Sequence, residues 1–102
     1  MGEFKTIAKK DDIPPGEVRV YKVNDKELAV AHTGEGFFAI DDVCTHDGGP
    51  LGEGYVEDCQ IECPRHGARF DLKTGKAVTL PAVMPVNAYP VRVEGDDVQV
   101  EV

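Results

Sequence analysis

No stretch of this chain is long and apolar enough to read as a membrane-spanning helix. Its opening residues Met1-Gly2-Glu3-Phe4-Lys5-Thr6 contain no apolar signal core. The expectation is a soluble, cytoplasmic protein with no membrane partner. Basic residues are few: 11 Lys and Arg stand against 19 Asp and Glu, for a formal net charge of −8. A surface of that sign repels nucleic-acid phosphates and anionic lipid heads, so no nucleic-acid partner is expected, and it suits a basic patch on another protein. Cysteine is scarce too. Cys44, Cys59 and Cys63 are an odd number and cannot close a disulfide framework, and in a reducing compartment metal binding is the more natural use. Helical periodicity, internal repeats and linkers are also lacking. At 102 residues the chain has room for one domain, residues 1–102, and not for two. A domain this small gains from a metal centre that ties its loops together.

What is present is β. Val18 and Val20 alternate with Arg19 and Tyr21, and Leu28 and Val30 keep the same period of two. Phe37-Phe38-Ala39-Ile40 is a short apolar run set off by Gly34 and Gly36. Ile13-Pro14-Pro15-Gly16 is a turn that also excludes helix. Val91-Arg92-Val93 and Val98-Gln99-Val100-Glu101-Val102 flank Glu94-Gly95-Asp96-Asp97, a hairpin signal. The pattern predicts an all-β fold of antiparallel sheets, a barrel or sandwich.

Between Asp41 and Asp71 the alternation breaks down. Glycines 48, 49, 52, 54 and 67 gather beside Pro50 and Pro64. Glycines give positive φ and let backbone amides approach a bound group. Two loops separated by one short strand are expected here, a subdomain over about residues 42–71 inserted into the β base. The first loop reads Cys44-Thr45-His46 and the second Cys63-Pro64-Arg65-His66, so each presents one thiolate and one imidazole. That donor set suits zinc or iron–sulfur chemistry. Zinc ribbons and fingers usually pair like with like within each short motif, whereas here both motifs are mixed. Mixed loops can give two sulfurs to one iron and two nitrogens to the other.

With Cys44-Thr45-His46 followed by Cys63-Pro64-Arg65-His66-Gly67, the chain resembles the Rieske family, whose pattern is C-x-H, a spacer, then C-x-x-H-G. The resemblance extends to the glycine-rich first loop, to Phe70-Asp71 and Thr74-Gly75, and to the segment from Pro81 to Pro90. It implies a Rieske fold with one [2Fe–2S] cluster at a tip, ligated by Cys44, His46, Cys63 and His66. Neutral imidazoles ease reduction: two ferric ions, two sulfides and two thiolates sum to about zero, whereas four thiolates leave about −2. Rieske potentials accordingly run from roughly −150 to +300 mV against about −400 mV for plant-type ferredoxins. In the cytochrome bc type, paired cysteines form a disulfide across the cluster, and the matching positions here are Gly49 and Arg65. Where that type has a serine and a tyrosine that hydrogen-bond the cluster, this chain has Ala68 and Phe70. Fewer donors leave more electron density on sulfur, so a potential at the low end of the range is expected.

The resemblance also bears on role. Rieske oxygenases need a second iron held by two histidines and a carboxylate, and after His46 and His66 only His32 remains. The chain is therefore expected to be an electron-transfer protein and not an enzyme. It resembles the ferredoxin component of bacterial oxygenase systems, which implies an NAD(P)H-dependent flavoprotein reductase and a terminal oxygenase as partners. The small Rieske-like subunit of NAD(P)H nitrite reductase and a zinc-binding structural module are the alternatives. Cys59 is expected to be a packed thiol on one strand face with Ile61 and Cys63. His32 is expected to be structural or exposed. The acidic run Glu53-Gly54-Tyr55-Val56-Glu57-Asp58 is either a docking edge or a solvated turn.

Overall fold

The structure is a computed structural model that describes residues 3–42, 51–64, 67–78 and 85–102. Among these residues ten strands form three sheets: β1 (Phe4–Lys9), β2 (Val18–Val23), β3 (Lys26–Thr33), β4 (Gly36–Asp41), β5 (Tyr55–Glu57), β6 (Gln60–Glu62), β7 (Arg69–Asp71), β8 (Ala88–Tyr89), β9 (Val91–Glu94) and β10 (Asp97–Glu101). Every pairing is antiparallel, in the orders β1-β10-β9, β2-β3-β4-β8 and β5-β6-β7. The helical content among these residues is two short 3-10 turns, Lys10–Asp12 and Leu51–Glu53. No helix of the described residues is long and apolar enough to cross a membrane.

Local chemistry sets the tight connections. β2 and β3 join through Asn24 and Asp25, both left-handed at φ 50° and 64°, which these two residue types tolerate best after glycine. β9 and β10 join through Gly95 at φ 62° and Asp96, the hairpin expected from the sequence. Val98 and Val100 are fully buried and alternate with half-buried Gln99 and Glu101, as a strand with one covered face requires.

β3 departs from that alternation. Leu28, Ala29, Val30 and Ala31 are all fully buried. Leu28 and Val30 join Ala8, Ile13, Ala39, Val98 and Val100 in one core, while Ala29 and Ala31 join Ile40, Leu51, Ile61, Cys63, Ala68 and Phe70 in another. The four-stranded sheet is thus a middle layer with a core on each face. The sequence displays only the Leu28/Val30 stripe, because alanines carry too little apolar signal to reveal the second covered face. Each buried Leu or Val contributes about 1.5–3 kcal/mol relative to exposure.

His32, in β3, is structural. Its Nδ1 donates to the Ile13 carbonyl at 2.7 Å, and its ring stacks on Phe37 with centroids 4.1 Å apart. With the Gly16 amide on the His32 carbonyl at 2.7 Å, this fastens the Pro14-Pro15 turn to the sheet.

The inserted region holds more regular structure than expected. In place of one short strand between two loops there are two, β5 and β6, and a third, β7, follows the second loop, all paired in sequence. Each is three residues long, too short to display a period of two in the sequence.

Candidate metal centre

Of the four expected ligands, Cys63 is described; Cys44, His46 and His66 lie outside the described residues, as do Gly49 and Arg65. Cys63 follows β6 directly and is 1% exposed. Its amide donates to the Ala68 carbonyl at 2.7 Å, and the Gly67 amide donates to its carbonyl at 3.1 Å. These bonds close the turn between β6 and β7 at its base, across the chain that carries His66. Gly67 sits at φ 74°, a conformation that glycine adopts without strain. Pairing of Glu62 with Arg69 and Ile61 with Phe70 holds the two strands in register.

The roots of the first loop reach the same place. Leu51, at its far end, is fully buried in the core that contains Cys63, Ala68 and Phe70. At its near end Asp42 accepts the Gly52 amide on Oδ1 at 2.6 Å, which bridges the loop. A third segment is rooted beside these two. The Val78 amide donates to the Arg69 carbonyl at 2.7 Å, and the Val86 amide to the Gly75 carbonyl at 2.8 Å. Val86 is buried in that core as well. Residues 79–84 of the proline-rich segment lie outside the described residues, while Pro85 and Pro90 are exposed.

The expected grouping of Cys59, Ile61 and Cys63 is right for burial and wrong for one position. All three belong to the same core, but Cys59 is in the β5–β6 turn and not on the strand. Asp58 and Cys59 are both left-handed, at φ 52° and 59°. A cysteine is uncommon there, so the turn carries no recognisable sequence signal. Burial pushes the Cys59 thiol above its ordinary range, against a lowering hydrogen bond with the Thr33 side chain. Its place in that core is that of a packing group. Both cysteines are free.

Around Cys63 the acidic run is partly neutralised. Arg69 lies on the face of the β5-β6-β7 sheet and pairs with Glu62 at 3.0 Å and Glu57 at 3.3 Å. These groups and the 68%-exposed Tyr55 line a shallow groove. Among the described residues no three His, Cys, Asp or Glu side chains gather as a metal site, so these residues offer no second candidate.

The fit to an iron–sulfur group rests on the donor chemistry and on Cys63. A buried, free thiol stands at the base of a closed, glycine-assisted turn that carries an imidazole three residues on. The opposite loop, rooted in the same core, supplies the matching Cys44 and His46 in sequence.

The Rieske [2Fe–2S] domain matches residues 3–90, and the chain belongs to this family, whose cofactor is one [2Fe–2S] cluster. Its relatives are more particular. The ferredoxin component of biphenyl 2,3-dioxygenase from Rhodococcus jostii is 41% identical over 95 residues, 93% of this chain and 89% of that protein. Among solved structures, the ferredoxin of carbazole 1,9a-dioxygenase from Nocardioides aromaticivorans superposes with a TM-score of 0.92 at 35% identity, covering 96% of both chains. A ferredoxin solved in complex with the oxygenase of carbazole 1,9a-dioxygenase matches at 33% identity and a TM-score of 0.88, covering 96% of this chain and 92% of that one. A nitrite reductase small subunit from Mycobacterium tuberculosis shares the fold at 22% identity, with a TM-score of 0.88 and coverage of 100% and 96%.

Proposed function

We propose that this protein is a soluble, cytoplasmic one-electron carrier of an oxygenase system. It takes electrons from an NAD(P)H-dependent flavoprotein reductase and passes them to a terminal oxygenase. The reading rests on one observation above all: the full Rieske ligand set is present, and its one described member, Cys63, is buried and free at the base of a closed turn. Ferredoxin components at 41% identity over most of the chain support the role, and the carbazole complex supports an oxygenase as partner.

In this reading residues 1–102 form one Rieske domain, with β5, β6 and β7 as the body of a cluster-binding subdomain over about residues 42–71. Cys44 and Cys63 are the thiolate ligands, and His46 and His66 are the imidazole ligands. When bound, the cluster stores and releases one electron. The chain's own work is to exclude water and to hold the ligands still. Fully buried Leu51, Ala68 and Phe70 form the dry floor beside Cys63, and the Cys63–Ala68 hydrogen bond fixes its backbone. Neither Ala68 nor Phe70 has a side-chain donor, which supports a potential at the low end of the Rieske range.

Purified protein that is red-brown, contains iron and sulfide in equal amounts, and on dithionite reduction gives the low average g value of nitrogen ligation supports the assignment. A colourless zinc protein would overturn it. Reduction by a flavoprotein reductase and reoxidation by a terminal oxygenase, each followed by visible absorbance, test the partners.

A further inference from the structure

Asp41 is the last residue of β4 and stands three residues before Cys44. Its groups make three bonds to the segment that contains β8. The Asp41 amide donates to the Asn87 carbonyl at 3.0 Å. Its Oδ2 accepts the Asn87 amide at 3.1 Å, and its Oδ1 accepts the Tyr89 hydroxyl at 2.6 Å. The strand pairing these bonds reinforce is minimal: Ala39 with Tyr89 and Ile40 with Ala88. A ladder that short does not hold a strand by itself, so the carboxylate is a large part of what fastens β8 to β4. The next residue works in the other direction. The Asp42 amide is fixed on the Glu27 carbonyl at 3.0 Å, and its carboxylate reaches across the first loop to Gly52. Adjacent carboxylates thus tie the exit of β4 to two places, β8 on one side and the far root of the first loop on the other.

Tyr89 is suited to this task. Burial first, then Asp41, push its hydroxyl up to about 12, so it remains a donor at neutral pH. The Lys26 ammonium lies over its ring, 5.9 Å from the centroid.

Building on the cluster assignment above, we propose that Asp41 is a positioning residue for the cluster. Held by Tyr89 and the Asn87 amide, it fixes the direction in which β4 delivers the first ligand loop, and so the setting of Cys44 and His46. A purely structural role would cost stability and leave the properties of the bound cluster unchanged.

The experiment uses the holoprotein and four single variants. Tyr89→Phe removes one hydroxyl, Asp41→Asn keeps an acceptor for Tyr89, and Asp41→Ala removes both acceptors. Gly95→Ala strains the left-handed β9–β10 turn, where an added Cβ meets nothing within 4 Å, and so destabilises the fold away from this site. The readouts are the EPR spectrum of the reduced protein, visible circular dichroism, the melting temperature, and the rate of cluster release to a chelator well below that temperature. Tyr89→Phe and Asp41→Ala are expected to shift or broaden the EPR signal and to speed release several-fold, with Asp41→Asn between them and the parent. Gly95→Ala should lower the melting temperature with the spectrum and release rate unchanged. If Asp41→Ala fails to fold, Tyr89→Phe decides. Parental spectra in Tyr89→Phe and Asp41→Ala, or release no faster than in Gly95→Ala, overturn this inference alone. A parent with no nitrogen-ligated [2Fe–2S] spectrum overturns the cluster assignment and this inference with it.

Discussion

The amide of Cys63 donates to the carbonyl of Ala68 at 2.7 Å, and both side chains are buried in the same core. The floor of the proposed cluster site is therefore fixed by backbone, while the side chain that ends the turn is a bare methyl group.

That methyl group sets up a redox prediction. Ala68→Ser adds a hydroxyl in a fully buried place, in the core that contains Cys63, and the prediction is that it donates to cluster or ligand sulfur. A hydrogen bond that favours the reduced state by about 1 kcal/mol raises a one-electron potential by about 40 mV. A redox titration should show a rise of that order, and a fall would count against the low-donor account of this site.

The two described cysteines should behave in opposite ways. Cys59→Ala is expected to keep full iron content and the parental visible spectrum, with a modest loss of stability from a smaller side chain in the core. Cys63→Ala is expected to lose the cluster altogether. Iron and sulfide analysis of the two purified variants checks both outcomes.

Gly75 has no tolerance for a side chain. Its φ is 80°, and a Cβ there would run into the carbonyl oxygen of Val86. The glycine also carries two backbone bonds, from its amide to the Asp71 carbonyl at 2.7 Å and from the Val86 amide to its own carbonyl at 2.8 Å. Gly75→Ala is expected to cost more than the roughly 1–3 kcal/mol of backbone strain alone. Urea unfolding measures the loss.

Alkaline pH should act through Tyr89. Its hydroxyl is raised from 10.0 to about 12 in the folded protein, so the folded state holds this proton more tightly than the unfolded chain. The associated stability is fully present below pH 10.0 and is lost as pH rises towards about 12. Tyr21, raised by burial first and then by Asp12, adds to the same decline. Tyr89→Phe should flatten the fall in unfolding free energy over that window and remove the latest phase from the tyrosinate absorbance titration. An unchanged profile would contradict the Tyr89–Asp41 bond.

Much of this could be read in the sequence, for identifiable reasons. The hairpin around Gly95-Asp96 and the alternation of Val98, Gln99 and Val100 are local patterns, and the structure contains both. The proposed ligand motifs are local too, because each loop carries its own cysteine and histidine. Other features depend on contacts that no window of sequence contains. β1 pairs with β10 across nearly the whole chain, and Asp41 meets Tyr89 from 48 residues away. The sheet of β5, β6 and β7 was hidden by the brevity of its strands, and the Cys59 turn by residues that seldom adopt its conformation. The acidic run was legible as charge, but its neutralisation by Arg69 was not, since that pairing needs the β6–β7 register.

β3 gives Leu28 and Val30 to one core and Ala29 and Ala31 to the other, so no internal partition runs between the face that holds Cys63 and the rest. Iron bound on one side is therefore expected to strengthen a strand on which the other side is also built. Stripping the protein of iron should then weaken the fold as a whole rather than free a detachable clip.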